Sequence, residues 1–173
     1  MQYLNQLAST RRPWLLLAFT AFCLEITALY FQHVMKLEPC VMCIYERIAM
    51  MGIIATGLVG AIKPEFFATR WLGFILWGVS AFWGLQLALE HVDYQMNPSP
   101  FYTCDFIPNF PQWMPLHQWV PWLFNPTGDC ADIVWQFFGM SMPQWLVVCF
   151  SLYSLAFLVV VAAQFVSKKS CCE

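Results

Sequence analysis

The chain has 173 residues, 60% hydrophobic and 10% charged, with a net charge of −2 and a mean hydropathy of +0.60. A soluble domain averages about 45–50% apolar and about 25% charged residues, and one this small has too little interior to hide the surplus. This excludes an ordinary soluble domain, a disordered chain and a nucleic-acid binder, which needs a basic surface; the apolar surplus belongs against lipid.

Four stretches reach the ~17–25 mainly apolar residues of a membrane-spanning helix: residues 14–31, 44–62, 71–89 and 145–166. Trp14, Trp71 and Trp145 each open one of them, as interfacial anchors do. Arg11 and Arg12 before the first stretch could belong to a twin-arginine or secretory signal. The run contains Glu25 and lacks a small-x-small cleavage site, so a retained helix is expected. Residues 1–173 read as a single all-α membrane domain, a four-transmembrane-helix bundle.

Basic residues set the expected orientation. Arg11, Arg12, Lys63, Arg70, Lys168 and Lys169 gather at one set of span ends, whereas residues 32–43 hold only Lys36 and residues 90–143 hold no Lys or Arg. By the positive-inside rule both termini are cytoplasmic, and loops 32–43 and 90–143 lie outside. Glu90, Asp93, Asp105, Asp129 and Asp132 then fall in the long outer loop. That loop carries eight of the eleven prolines and many aromatics. Within it Trp113, Leu116, Val120 and Leu123 recur near helical spacing, with prolines to keep any helix short. This predicts a short amphipathic piece in the outer headgroup layer; aromatics packed on the bundle are the alternative.

Position also sorts the eight cysteines. Cys23 and Cys149 lie inside spans, and Cys171 and Cys172 in the cytoplasmic tail, where thiols stay reduced. The other four are outside. Cys40 and Cys43 form a C-x-x-C at the mouth of the second span, and Cys104 and Cys130 stand alone in the long loop. An even set in an oxidising compartment suggests structural disulfides. Yet a bridge closed over so short a loop adds little chain-entropy stabilisation, and this spacing suits a pair that opens and closes. At a helix start, free N–H groups and the macrodipole favour a thiolate. Arg47, one turn below Cys43 on the same face, can stabilise that thiolate and an anionic form of a bound acceptor. Snorkelling, or pairing with Glu46, is the plainer reading of this arginine. Glu25, mid-span, is expected to stay protonated or bond inward, without a catalytic role. A four-cysteine zinc site remains conceivable, although only one pair has the zinc-ribbon spacing.

Two dithiol pairs can pass a disulfide along but cannot create one, so a terminal oxidant is required. At the edge of a bilayer this points to a lipid-soluble two-electron carrier, a quinone. No haem motif follows Cys43, and no glycine-rich dinucleotide fingerprint is present.

The segment Cys40-Val41-Met42-Cys43-Ile44-Tyr45-Glu46-Arg47, the sequence His33-Val34-Met35, and the stretches Pro98-Ser99-Pro100-Phe101 and Cys104-Asp105-Phe106 closely resemble the DsbB family. These are bacterial inner-membrane proteins that reoxidise the periplasmic dithiol oxidase DsbA with a quinone. The resemblance covers essentially the whole chain. It implies a Cys104–Cys130 disulfide attacked by reduced DsbA, transfer through Cys130 to Cys40, and release of Cys43 to a quinone beside Arg47. It also implies that His91 contacts the quinone, either ubiquinone or menaquinone, and that no metal takes part. A vitamin K epoxide reductase-like enzyme is the nearest rival, but would place its C-x-x-C on a later helix. A paralogue with a dedicated partner would carry the same residues, and an inert disulfide-bonded scaffold would carry them without turnover.

Overall fold

The computed structural model describes residues 9–97, 104 and 108–169. Among these residues, four helices are long and apolar enough to cross a membrane: α1 (Arg11–His33), α2 (Val41–Ile62), α3 (Phe67–Met96) and α6 (Met142–Lys169). Between α3 and α6 lie two single-turn helices, α4 (Leu116–Trp119) and α5 (Pro121–Phe124), and a hairpin of β1 (Gln136–Phe137) with β2 (Met140–Ser141). The chain is a multi-pass membrane protein.

α3 runs past its expected end at residue 89, so Glu90, His91 and Asp93 lie on its last turns rather than in the loop. Falling hydropathy marks the edge of lipid, not the end of a helix. The helix stops only where Asn97 leaves helical geometry, just before Pro98 disfavours continuation. The residues carrying the resemblance at 98–101 and 105–106 lie outside the described residues, as do Cys171 and Cys172.

α2 packs between α1 and α3, and α6 packs on α3. The apolar windows of α2 and α3 are 56% and 50% buried, against 22% and 17% for α1 and α6, so the first two form the inner pair. Ala21, Ala49, Ala81 and Ala88 sit in the core, as small residues do where spanning helices approach closely. Gly57 lets α2 lie against the α1 backbone at Trp14 and Ala18, and Gly84 leaves room for the Phe150 ring. Leu16, Phe19, Val79, Leu152 and Leu155 point outward, the lipid-facing surface that the composition requires.

Trp14 departs from its expected role as an interfacial anchor. It is buried against Phe74 and Trp77, in space left by Gly60 and Gly73. The amphipathic piece also differs from its expected form. Pro121 has no N–H to continue α4, and the chain breaks at Val120 into α4 and α5. Trp113, Trp119 and Trp122 are exposed, while Leu116, Val120 and Leu123 are half-buried and Phe124 is buried. The hairpin turn places both Phe138 (φ 51°) and Gly139 (φ 75°) in the left-handed region, as a type I′ turn demands.

Gly84→Leu should drive a side chain into Phe150 and cost about 1–3 kcal/mol, read as a lowered unfolding midpoint in detergent. Leu155→Ala, on the outward face of α6, should leave that midpoint nearly unchanged.

Candidate active site

Cys40, which follows Pro39, has extended backbone (φ −86°, ψ 174°) and is the N-cap of α2. A thiol here does the work of a capping oxygen: Cys40 Sγ accepts the N–H of Cys43 at 3.3 Å. The two sulfurs stand 3.0 Å apart as free thiols, with Cys40 buried and Cys43 half-buried. Little movement separates this pair from a disulfide bond of about 2.0 Å.

Cys104 and Cys130 are joined in a disulfide, so they are not available to a four-cysteine zinc site. Cys130 is buried in one cluster with Cys40, Met42 and Leu87, and Cys43 and Cys104 pack at its edge. All four cysteines singled out in the sequence therefore meet. Backbone hydrogen bonds make the junction: Thr127 N and Gly128 N both donate to Pro39 O, at 2.9 and 3.1 Å. Earlier in the loop, Asn109 N donates to the Tyr45 hydroxyl at 2.7 Å. Cys23 is exposed on α1 and Cys149 is half-buried on α6, and neither belongs to this cluster.

Below the thiols, an ion pair and an imidazole–carboxylate contact occupy the apolar interior. Arg47 Nε lies 2.9 Å from Glu25 Oε1 of α1. Its Nη1 donates to Gln32 Oε1 at 2.8 Å and to the Leu123 carbonyl. Gln32 in turn donates to the Trp122 carbonyl at 3.2 Å. Arg47 thus neither snorkels nor pairs with Glu46. Glu46 instead faces α3, with Oε1 3.0 Å from His91 Nδ1. The other imidazole nitrogen, Nε2, lies 3.4 Å from Cys40 Sγ. Every member of both pairs is buried, and inside a membrane protein ionisable groups persist by pairing.

Two cavities flank the C-x-x-C. The larger, about 90 Å³, is walled by Cys43, Glu46 and Arg47 of α2, Glu25 and Gln32 of α1, and Leu146 of α6. It has several times the room one water needs, and it lies between α1 and α6, which touch each other little. The smaller, about 30 Å³, lies on the loop side and is lined by Cys40, Cys43, His91, Asp129 and Asp132. His91 lines this second cavity and not the first. The structure brings together the four cysteines, Arg47 and His91 singled out in the sequence, and adds Gln32 and the Leu123 carbonyl, which were not. A backbone carbonyl leaves no compositional trace, and a glutamine at a span end reads as an interfacial polar group.

A dithiol capping a spanning helix, packed against a loop disulfide, is built for thiol–disulfide exchange at the end of a membrane bundle. The fold and site thus define a membrane-embedded exchange protein of the disulfide-forming class. Residues 10–160 match the family described as "Disulfide bond formation protein DsbB". The chain is 64% identical to "Disulfide bond formation protein B" of Psychromonas ingrahamii over 156 residues, covering 90% of this chain and 84% of that one. The same-named proteins of Photobacterium profundum and Aeromonas hydrophila are 56% and 53% identical; the first alignment covers 98% of this chain and 97% of its relative, the second 99% of each. The chain belongs to the DsbB family, and it is a disulfide-bond-forming membrane oxidoreductase.

Glu25→Leu would leave Arg47 buried without its counter-charge, which should cost roughly 3–5 kcal/mol in detergent unfolding. Cys23→Ser, on the exposed face of the same helix, should cost little.

Proposed function

We propose that the chain is a protein-dithiol:quinone oxidoreductase of the bacterial inner membrane. Its thiols face the periplasm, and it reoxidises a DsbA-like thiol oxidase. One observation carries this reading: the loop disulfide packs on the C-x-x-C thiols, and one of these, Cys43, also walls an apolar cavity that holds a buried arginine and lies between two outer helices.

The exposures support an order of attack. Cys104 is half-exposed and Cys130 buried, so the partner's thiolate attacks Cys104 and releases Cys130. Cys130 then attacks Cys40 of the oxidised C-x-x-C, forming Cys40–Cys130 and freeing Cys43 as a thiolate on the wall of the larger cavity. The partner's second thiol completes its own disulfide and expels Cys104. Cys104 re-forms its bond to Cys130 and releases Cys40. Closing Cys40–Cys43 again gives up two electrons and two protons at the cavity wall.

The residues there fit a quinone, ubiquinone or menaquinone: an apolar enclosure, the Cys43 sulfur, and the Arg47 guanidinium to meet negative charge. A quinone bound in this cavity supplies the acceptor for those electrons and protons. Arg47 and Cys43 would hold it, with Glu25 and Gln32 fixing the guanidinium. His91 acts on the thiol side of the same step. Oriented by Glu46 through Nδ1, it presents Nε2 to Cys40 and takes and returns the proton of that thiol.

The test is turnover by the purified full chain with a reduced DsbA-type protein and a quinone, followed by quinol absorbance. Replacing any one of Cys40, Cys43, Cys104 or Cys130 by serine should abolish turnover. Unchanged rates in these variants would overturn the relay, and no turnover by the unaltered chain, with disulfides that do not exchange, would mean an inert scaffold. Arg47→His should raise KM for quinone well beyond any change in KM for the partner. His91→Gln should lower kcat and leave the quinone KM near its original value; the reverse split would return His91 to the quinone.

A further inference from the structure

The loop-side cavity gathers a second kind of chemistry. The sulfurs of Cys40 and Cys43 and a ring nitrogen of His91 all lie within 4.8 Å of one another. Cys40 Sγ is 3.0 Å from Cys43 Sγ and 3.4 Å from His91 Nε2. Zinc bonds of about 2.3 Å to sulfur and about 2.0 Å to nitrogen give tetrahedral edges of roughly 3.5–3.8 Å. The Cys40–His91 distance already matches such an edge, and the Cys40–Cys43 distance falls short of one by less than about 1 Å.

Three further features fit a metal. His91 Nδ1 meets the Glu46 carboxylate at 3.0 Å, the outer-shell contact that metal-binding histidines make, and it aims Nε2 at the thiols. Two thiolates cancel the charge of a divalent ion, which a buried site requires. The cavity beside the three ligands, about 30 Å³, also reaches Asp129 and Asp132. It has room for an ion with a water or a carboxylate in fourth position.

We propose that the dithiol state of this chain binds one thiophilic divalent cation, Zn²⁺, through Cys40, Cys43 and His91. Binding forms two metal–sulfur bonds and one metal–nitrogen bond to the neutral imidazole, releases the two thiol protons, and moves no electron. Closure of the Cys40–Cys43 disulfide removes both sulfur ligands, so the site exists only in the reduced state. An ion seated there holds the C-x-x-C reduced and blocks closure of the Cys40–Cys43 disulfide. Binding itself rests on the cluster alone, and only this block on turnover rests on the proposed relay.

The test is a Co²⁺ titration of the full chain in detergent, with Cys23, Cys149, Cys171 and Cys172 replaced by serine. The readout is the thiolate-to-metal and tetrahedral d–d absorption, followed by displacement with Zn²⁺. The reduced protein should take up one equivalent with these bands, and the oxidised protein none. Uptake should persist when Cys104 and Cys130 are both alanine, which separates this site from a four-cysteine one. Cys40→Ser should abolish the thiolate band, and Glu46→Gln should weaken binding by about 10–100-fold at unchanged helical circular dichroism. Equal uptake by the oxidised form, loss of uptake without Cys104 and Cys130, or an unaltered titration in His91→Gln would overturn the proposal. No quinone or partner is present in the assay, so a negative result leaves the relay standing. A chain that binds Co²⁺ as described but fails to turn over would keep the metal site and lose the relay.

Discussion

Charge in the apolar end of a bundle has to be answered from within the protein, and the adjacency of Glu46 and Arg47 makes that demand organise the site. Neighbouring residues on a helix point about 100° apart, so the two cannot satisfy each other across one face. Arg47 reaches α1 and finds Glu25; Glu46 reaches α3 and finds His91. α2 is thereby tied on both sides, and it is also the helix most buried in the bundle. The thiols sit one and two turns above these pairs, at the cap. Their surroundings follow from the pairs: an imidazole on the Cys40 side, and a guanidinium beneath Cys43.

The long loop is drawn into the same arrangement by its backbone more than by its side chains. Pro39 cannot continue α2 upward, and its free carbonyl accepts the N–H groups of Thr127 and Gly128. Arg47 takes the Leu123 carbonyl, and Gln32 bonds the Trp122 carbonyl beside it. A loop that gives up its carbonyls to the bundle can leave its large side chains outside, and Trp113, Trp119 and Trp122 are exposed. Such side chains suit a headgroup layer, where an indole keeps its ring in apolar surroundings and its N–H wet. Cys130 is held against Cys40 at one end of this docked segment, while the aromatic part rests on the other side of the arginine.

Legibility in the sequence follows the range of the physics involved. The four spans are readable because hydropathy is a local sum, and the C-x-x-C at the start of α2 is readable because Pro39 and the apolar run fix its place. The end of α3 is misread, since Glu90 to Met96 remain helical beyond the apolar run. Trp14 is misread because an anchor and a core indole look alike until Gly60 and Gly73 are seen to face it. The β1–β2 hairpin leaves almost no mark: Phe138-Gly139 is a poor turn dipeptide, and two residues per strand show no alternation. The partner of each ionisable group lies 22 to 45 positions away along the chain, and no periodicity spans that gap.

Cys43 lines both cavities, whereas Cys40 and His91 line only the loop side and Arg47 only the other. On the proposed relay this division has a chemical purpose. Thiol exchange needs protons to come and go and a partner to approach, which suits the side where Asp129 and Asp132 meet His91. Electron delivery needs water kept out and a fixed positive charge, which suits the apolar side, where Glu25 and Gln32 hold the guanidinium. A single sulfur at the boundary passes electrons between the two without joining them into one wet space. The same division explains why a cation can compete: it would enter from the loop side, using the sulfur and imidazole of exchange, and need not reach the cavity that Arg47 walls.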